Sequence, residues 1–210
     1  MAIALDVLRS EGAMLVDPAN LPSHGKFGEA EFEVMLYEFK HGLNRYLRQV
    51  APSLPVHSLA ELIEFNERNR ARELPFFGQE TLGWAQAKGP LTDQAYLDAL
   101  RDCRRLARDE GIDAVMNEHQ LDALVAPTGG PAHLTDHVNG DRHLGGSSSP
   151  AAVAGYPSIT VPAGFVMGLP VGISFFGRAW SEPTLIKLAY AFEQATKHRR
   201  RPTFLPTVET

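Results

Sequence analysis

The chain has 210 residues, 44% of them hydrophobic and 21% charged, values that exclude a disordered or fibrous protein. Its formal net charge is −5, whereas proteins that bind duplex nucleic acid usually carry an excess of basic residues. We therefore expect no nucleic-acid partner. The single cysteine, Cys103, excludes an intrachain disulfide and a cysteine-based zinc site. A lone thiol fits a reducing compartment, and we expect a cytoplasmic location.

Neither of two candidate segments indicates membrane targeting. The first residues lack a continuous apolar core, because Asp6, Arg9 and Glu11 interrupt them, so they do not form a signal peptide. Residues 144–177 carry no charge, but four prolines and several glycines would repeatedly break a transmembrane helix. Buried strands produce the same lack of charge, so we expect no membrane partner.

The first half of the chain is predicted to be helical. An apolar stripe near the N-terminus predicts a short helix ending at Gly12, and residues 13–17 then predict a short strand. Apolar residues recur at helical spacing over residues 28–50. Ser58 and Glu61 have the spacing of a capping box, which predicts a helix running to about Arg72.

A second helical stretch follows a break at residues 74–80. Thr92 is predicted to cap it, with Asp93 at the positive end of the helix dipole. Tyr96 and Cys103 lie on its apolar face, and the helix is expected to continue past Gly111. Cys103 is therefore expected to pack as a small hydrophobe.

The second half predicts strands around a long loop. Residues 121–127 form a short apolar run that indicates a buried strand, and residues 128–146 hold five of the chain's 18 glycines. Loops of this length in compact domains are usually functional. Residues 157–164 and 169–176 predict a β-hairpin, and Ser181 is predicted to cap a last helix. The basic run at residues 197–201 fits the C-terminal end of that helix.

The serine-rich turn at residues 145–150 is a candidate nucleophile site, but a serine nucleophile needs a base within hydrogen-bond reach. Pro150 stands where a nucleophile elbow would have its second glycine. The favoured interpretation is that Ser149 caps a short helix whose first residue is Pro150.

The long loop also contains histidines that could suggest a metal. His133, His137 and His143 lie near Asp136 and Asp141, but their spacing matches no metal motif. We interpret this stretch as a polar loop lining a pocket. With no nucleotide-binding loop present, we expect neither a metal nor another cofactor.

Segments spread over essentially the whole chain resemble a known family. Residues 121–128 and 149–196, above all AGYPSITVPAG followed by GLPVGI, resemble the C-terminal part of the amidase signature hydrolases. SLAELIEFN and ELPFFGQE resemble the branch that includes the peptide amidases. The resemblance implies an α/β fold with helices packed on a mixed β-sheet. It also implies one partial domain over residues 1–210, helical to residue 120 and strand-rich thereafter, that is incomplete without the family's N-terminal portion.

The family cleaves amide bonds with a serine nucleophile, a second serine in a cis peptide and a lysine, all in a Gly-Ser-rich signature in its N-terminal portion. The GGSSSP run lacks the glycines that follow in that signature, and the nearest preceding lysine, Lys88, lies in a loop. We therefore assign no catalytic residue. A complete hydrolase that uses Ser147, Ser148 or Ser149 is the least favoured hypothesis.

The resemblance does suggest pocket residues. The loop that begins at Thr128 follows a strand end, where α/β sheets place ligand-contacting loops, and Asp136 and Asn139 lie within it. Phe76 and Phe77 could form an apolar wall of the pocket or could pack in the core.

We thus expect a C-terminal segment of a serine amidohydrolase, whose substrate in the complete enzyme is a small amide or peptide amide. The segment would supply scaffold and pocket loops, and alone it would be inactive. The alternative is a stand-alone binding or interaction module without the chemistry. Strands that are almost free of charge also predict self-association through an exposed sheet edge.

Overall fold

The computed structural model describes residues 1–50 and 54–204. These residues form two compact units. The first unit combines residues 1–24 with the chain from residue 104 onward, and the second unit is Gly25–Cys103.

Among the described residues, helices dominate up to residue 118, and three strands and two helices follow. The helices are Ala2–Ser10 (α1), Gly28–Val50 (α2), Leu59–Arg68 (α3), Arg70–Glu73 (α4), Glu80–Gln86 (α5), Gln94–Arg104 (α6), Asp113–Glu118 (α7), Ser148–Ala154 (α8) and Glu182–Thr196 (α9). The strands are Leu124–Pro127 (β1), Ser158–Val166 (β2) and Leu169–Phe176 (β3). A π-helical segment, Arg105–Ile112, connects α6 to α7.

The three strands form an antiparallel sheet in the order β1-β3-β2, so no parallel pair occurs among the described strands. The predicted hairpin is confirmed. Met167 and Gly168 connect its strands, with φ of 48° and 76°. Two successive residues of positive φ match the twist of the flanking strands, as in a type I′ turn. A bulge between Pro162 and Gly164 shifts the register near the turn.

One face of this sheet carries the main core of the first unit. Phe175 on β3 meets Phe192 on α9 edge to face, with ring centroids 6.1 Å apart. The buried residues of this core are Ala4, Leu8, Val161, Ile173, Phe175, Leu185, Ala189 and Phe192. Leu185, Ala189 and Phe192 therefore form the buried face of the last helix, and fully burying each large side chain contributes about 2–3 kcal/mol.

The second unit has a smaller core of its own, formed by Leu36, Leu59 and Ala85 from α2, α3 and α5. Lys40 on α2 donates hydrogen bonds to the backbone carbonyls of Gln86 and Lys88, which fixes the loop after α5. The Nζ of Lys88 lies 2.7 Å from the carboxylate of Glu33. Both lysines are thus used to hold the second unit together.

The capping box is confirmed with one difference. The Ser58 hydroxyl accepts the backbone N–H of Glu61 at 3.2 Å. The Glu61 carboxylate accepts the N–H of His57, one residue before the predicted partner, at 2.6 Å. The helix runs to about residue 72 as predicted, with a break at Asn69, whereas α5 was not predicted.

Two other local predictions are wrong. Residues 13–17 form no strand and pair with no strand among the described residues, because Ala13 and Leu15 instead pack against the core of the first unit. Helix α6 begins at Gln94, so Asp93 rather than Thr92 immediately precedes the helix. The backbone carbonyl of Asp93 accepts the N–H of Leu97.

The helical stretch does continue past Gly111, but with a kink there. Gly111 has φ of −112° and ψ of −107°. A side chain at this position could not fit, because its Cβ would lie 2.6 Å from the carbonyl oxygen of Leu106.

Within the described residues, the helices are too short or too polar to cross a bilayer.

Candidate functional site

An open cavity of about 660 Å³ lies on the first unit, where β1 ends and the predicted loop begins. Its volume falls within the range of small-molecule sites. The apolar part of its wall includes Leu124, Ala126, Leu144 and Phe176. Its polar part comes from Asn20, His24 and Ser147. An apolar wall with a few polar groups is the usual composition of a ligand pocket.

The base of the long loop is closed by its glycines. Gly129 and Gly146 form an isolated antiparallel bridge, and both line the cavity. A Cβ on Gly146 would lie 3.2 Å from the carbonyl oxygen of Thr128. The absence of side chains therefore permits the close approach of the two ends of the loop beside the cavity.

Thr128 anchors the first end of this loop through its hydroxyl. Its Oγ1 lies 2.8 Å from the Oγ of Ser174, and the Ser174 Oγ lies 2.9 Å from the Oγ1 of Thr160. Ser174 is buried. These hydroxyls share the face of the sheet opposite the main core, because Ser174 pairs with Thr160 and with Ala126 of the cavity wall. Thr128 itself is not among the lining residues, whereas Pro127 and Gly129 are.

Ser147 is placed differently from the prediction for the serine-rich turn. It, not Ser149, occupies the N-cap position of α8, but its side chain makes no capping hydrogen bond. Its N–H donates to the Thr128 carbonyl at 3.2 Å. Pro150 is consequently the third helical residue rather than the first. The Oγ of Ser147 is buried and has no hydrogen-bond partner among the described residues. Ser148 and Ser149 are exposed.

The outer part of the loop is held by its own polar groups. The carboxylate of Asp136 accepts the backbone N–H and the side-chain amide of Asn139, and also the N–H of Val138, at 2.9 to 3.0 Å. These bonds, those from Asn139 foremost, lower the pKa of Asp136. Asp136 and Asn139 are therefore brought together, but at an exposed turn outside the cavity wall.

Phe76 and Phe77 belong to the second unit, whereas the cavity wall consists of residues of the first. They are 65% and 74% exposed. The alternative in which they pack in the core is therefore wrong, because they lie in the short segment between α4 and α5 rather than on a buried helix face.

The described residues contain no group of three or more His, Cys, Asp or Glu side chains able to hold a metal ion. Cys103 is buried, as predicted. Burial raises the pKa of its thiol, and the nearby carboxylates of Glu31, Asp102 and Glu38 raise it further. A thiol that resists ionisation is poorly suited to act as a nucleophile.

A polar clamp holds the other end of α8. The hydroxyl of Tyr156 donates to the Asp113 carboxylate at 2.7 Å, and the Nε of Arg108 donates to the carbonyl of Ala154 at 2.6 Å. The Arg108 guanidinium also lies over the Tyr156 ring, 5.3 Å from its centroid. Burial and the bond to Asp113 raise the pKa of Tyr156 to about 12. The clamp thereby fixes the helix that presents Ser147.

Sequence reasoning missed one wall of the cavity. Ala19, Asn20, Leu21 and His24 come from a segment without regular secondary structure. Such a segment shows neither helical nor strand periodicity, so the sequence contains no signal that would place it beside β1.

The fold and cavity can be compared with known proteins. The chain matches the protein family described as Amidase over residues 1–186. It belongs to the amidase family. This result confirms the resemblance seen in the sequence, and the α/β fold agrees with that of the amidase signature enzymes.

Among curated amidase relatives, a protein of Arabidopsis thaliana named as an amidase is 37% identical over 208 residues, which are 96% of this chain and 37% of the relative. The solved peptide amidase from Stenotrophomonas maltophilia is 52% identical, with a TM-score of 0.87 over 97% of this chain and 40% of that one. A peptide amidase in complex with the competitive inhibitor chymostatin is 53% identical, with a TM-score of 0.90 over 97% and 41%. The chain thus spans less than half the length of these relatives.

Proposed function

We propose that this chain is the C-terminal segment of a serine amidohydrolase that acts on carbon–nitrogen bonds of amides, and that it supplies scaffold and pocket walls rather than the Ser-Ser-Lys catalytic set. The observation that carries the proposal is the cavity at the end of β1, which is bordered by the glycine bridge and by Ser147. Family membership and the likeness to peptide amidases support a small amide or peptide amide as the substrate of the complete enzyme.

The cavity has the chemistry that an amide ligand needs. Leu124, Ala126 and Phe176 offer an apolar surface to a side chain, whereas the unpaired Ser147 hydroxyl can donate to an amide oxygen or accept from an amide N–H. Leaving a buried hydroxyl without a partner costs about 1–3 kcal/mol. An amide bonded to Ser147 would remove that cost.

The same geometry argues that Ser147 is not the nucleophile. A serine becomes nucleophilic when an adjacent base takes its proton. The Oγ of Ser147 has no hydrogen-bond partner among the described residues, and therefore no such base. Lys88 is already paired with Glu33 in the second unit. We propose accordingly that the 210-residue chain alone does not hydrolyse amides.

The second candidate is a stand-alone binding module. It is favoured by one observation, namely that described residues of the first unit alone form the cavity wall. Such a module would bind an amide without cleaving it. The DNA directly upstream distinguishes the two, because an in-frame Gly-Ser-rich signature with a preceding lysine supports the amidohydrolase segment, and its absence supports the module.

A direct test uses the 210-residue chain and an N-acetyl dipeptide amide. Ammonia release measures hydrolysis, and saturation-transfer NMR measures binding. We expect no ammonia above the blank, with binding that weakens in Ser147→Ala but not in Ser149→Ala, whose exposed side chain lies outside the cavity wall. Ammonia release that is lost in either serine variant would overturn the proposal that this chain lacks the catalytic set. Equal binding by both variants would exclude Ser147 as a pocket residue.

A further inference from the structure

A second cavity, of about 480 Å³, lies at the opposite end of β1. It is formed where α7 ends, β1 begins, β3 ends and α9 begins, and it shares no lining residue with the first cavity. The four residues of β1 span about 13 Å, which separates the second cavity, at the start of the strand, from Thr128 after its end. The second cavity is therefore a distinct feature of the first unit, outside the amide site proposed above.

Arg178 lines this cavity and carries a guanidinium group. Its Nε is buried and has no hydrogen-bond partner among the described residues. Its main chain is fixed, because the Ser181 hydroxyl donates to the Arg178 carbonyl at 2.7 Å. A buried guanidinium N–H without an acceptor is unfavourable, and a carboxylate is the acceptor that fits its planar fork.

Asp122 contributes the opposite charge to the same wall. Among the described residues, no ion pair joins it to Arg178, although both residues line the same cavity. An anion alone would be repelled by Asp122, and a cation alone by Arg178. A ligand that carries both charges satisfies both side chains.

The wall also offers an apolar surface. Trp180 lines the cavity and is 88% exposed, so its indole is available to a ligand side chain. The amides of Asn117 and Gln120 stand in the same wall and can hydrogen-bond to a backbone-like ligand. A few polar groups beside an aromatic face are typical of small-molecule sites.

We propose that this second cavity binds a zwitterionic ligand, a free amino acid or a short peptide acid. The ligand's carboxylate pairs with Arg178, its ammonium group with Asp122, and its apolar side chain packs against Trp180. This inference goes beyond the proposed amidohydrolase function and does not depend on it, since it concerns different residues and requires no bond cleavage.

The test is a fluorescence titration in a Trp84→Phe background, which leaves Trp180 as the sole tryptophan of the chain. The probe is L-leucine, with sodium acetate and n-butylamine as carriers of the separate charges. We expect a saturable change with leucine and an affinity at least about tenfold weaker for acetate and for butylamine. Arg178→Gln should weaken leucine binding about tenfold or more. Asp122→Asn should weaken leucine binding but not acetate binding.

Arg142→Gln is the matched control, because it removes the charge of an exposed arginine outside the cavity wall and should leave leucine affinity unchanged. Arg178→Lys keeps the charge but loses the planar fork, so it should bind leucine more weakly than the parent even if Arg178→Gln does not fold. The proposal is overturned if leucine gives no saturable change, if acetate binds as tightly as leucine, or if Arg178→Lys and the parent bind leucine equally.

Discussion

The hydroxyl group of Ser174 couples the sheet to the start of the long loop, and Ser174→Ala isolates its contribution. The side chain is 3% exposed. The substitution removes the bonds at 2.8 Å to Thr128 and at 2.9 Å to Thr160 while keeping the small volume of the residue. The backbone pairing of β3 with its neighbours does not depend on this hydroxyl, so the fold should persist.

The size of the effect follows from the two bonds. A neutral hydrogen bond contributes about 1 kcal/mol net, so the loss of both predicts about 2 kcal/mol. Two features reduce this value. Thr160 is exposed and can bond to water instead, and Thr128 retains its 3.4 Å contact with Thr160. We therefore expect Ser174→Ala to lower the free energy of unfolding by about 1–2 kcal/mol.

Urea unfolding followed by Trp180 fluorescence in the Trp84→Phe background reports on the first unit, to which Trp180 belongs. The midpoint should fall while the slope of the free energy against urea stays constant, because the surface exposed on unfolding is unchanged. Ser158→Ala is the matched control. It removes an exposed hydroxyl from β2 and should change stability by less than about 0.5 kcal/mol. Equal effects of Ser174→Ala and Ser158→Ala would refute the reasoning.

Three further outcomes follow from the same contacts. Because the pKa of Asp136 is lowered in the folded protein, its carboxylate stabilises the loop turn at pH values above the ordinary carboxyl pKa. This stabilisation is lost as the pH falls through the pKa of Asp136 in the folded protein. NMR titration should show that Asn139→Ala raises the pKa of Asp136. The pKa of Tyr156 is raised to about 12, so its hydroxyl should stabilise the fold below the ordinary tyrosine pKa and lose that contribution as the pH rises through 12. An absorbance titration at alkaline pH should show one tyrosine that ionises near pH 12, and this transition should be missing in Tyr156→Phe. Serine substitutions of the exposed Phe76 and Phe77 should change thermal stability little, and a large loss would contradict their placement at the surface.

The secondary structure could be predicted wherever the local sequence determines it. Val166-Met-Gly-Leu169 sets the hairpin turn, and Ser58 with Glu61 sets the start of α3. The strand expected at residues 13–17 failed because a strand requires a partner, and partners are chosen by tertiary packing rather than by composition.

The candidate site was predictable only in outline. The position of the loop after β1 is visible in the sequence, because an apolar run gives way to glycines at Thr128. The wall formed by Asn20 and His24 was not visible, because irregular segments have no periodicity. Nor did the sequence distinguish Ser147 from Ser149 as the residue at the N-cap of α8, because three consecutive serines stand where this helix begins.

The last prediction concerns the edges of the sheet. Among the described strands, β1 and β2 each pair only with β3, so each has one edge without a strand partner. Unpaired strand edges are templates for pairing with another chain, and the exposed Val166 and Met167 at the end of the hairpin add apolar surface beside the β2 edge. We expect the 210-residue chain to self-associate as its concentration rises, which sedimentation velocity would detect. Ser158→Lys places a charge at an exposed position of β2 and should weaken the association, whereas Ser149→Lys, outside the sheet, should not. A monomer at every concentration would contradict pairing through these edges, and an equal response of the two lysine variants would exclude β2 as the edge that pairs.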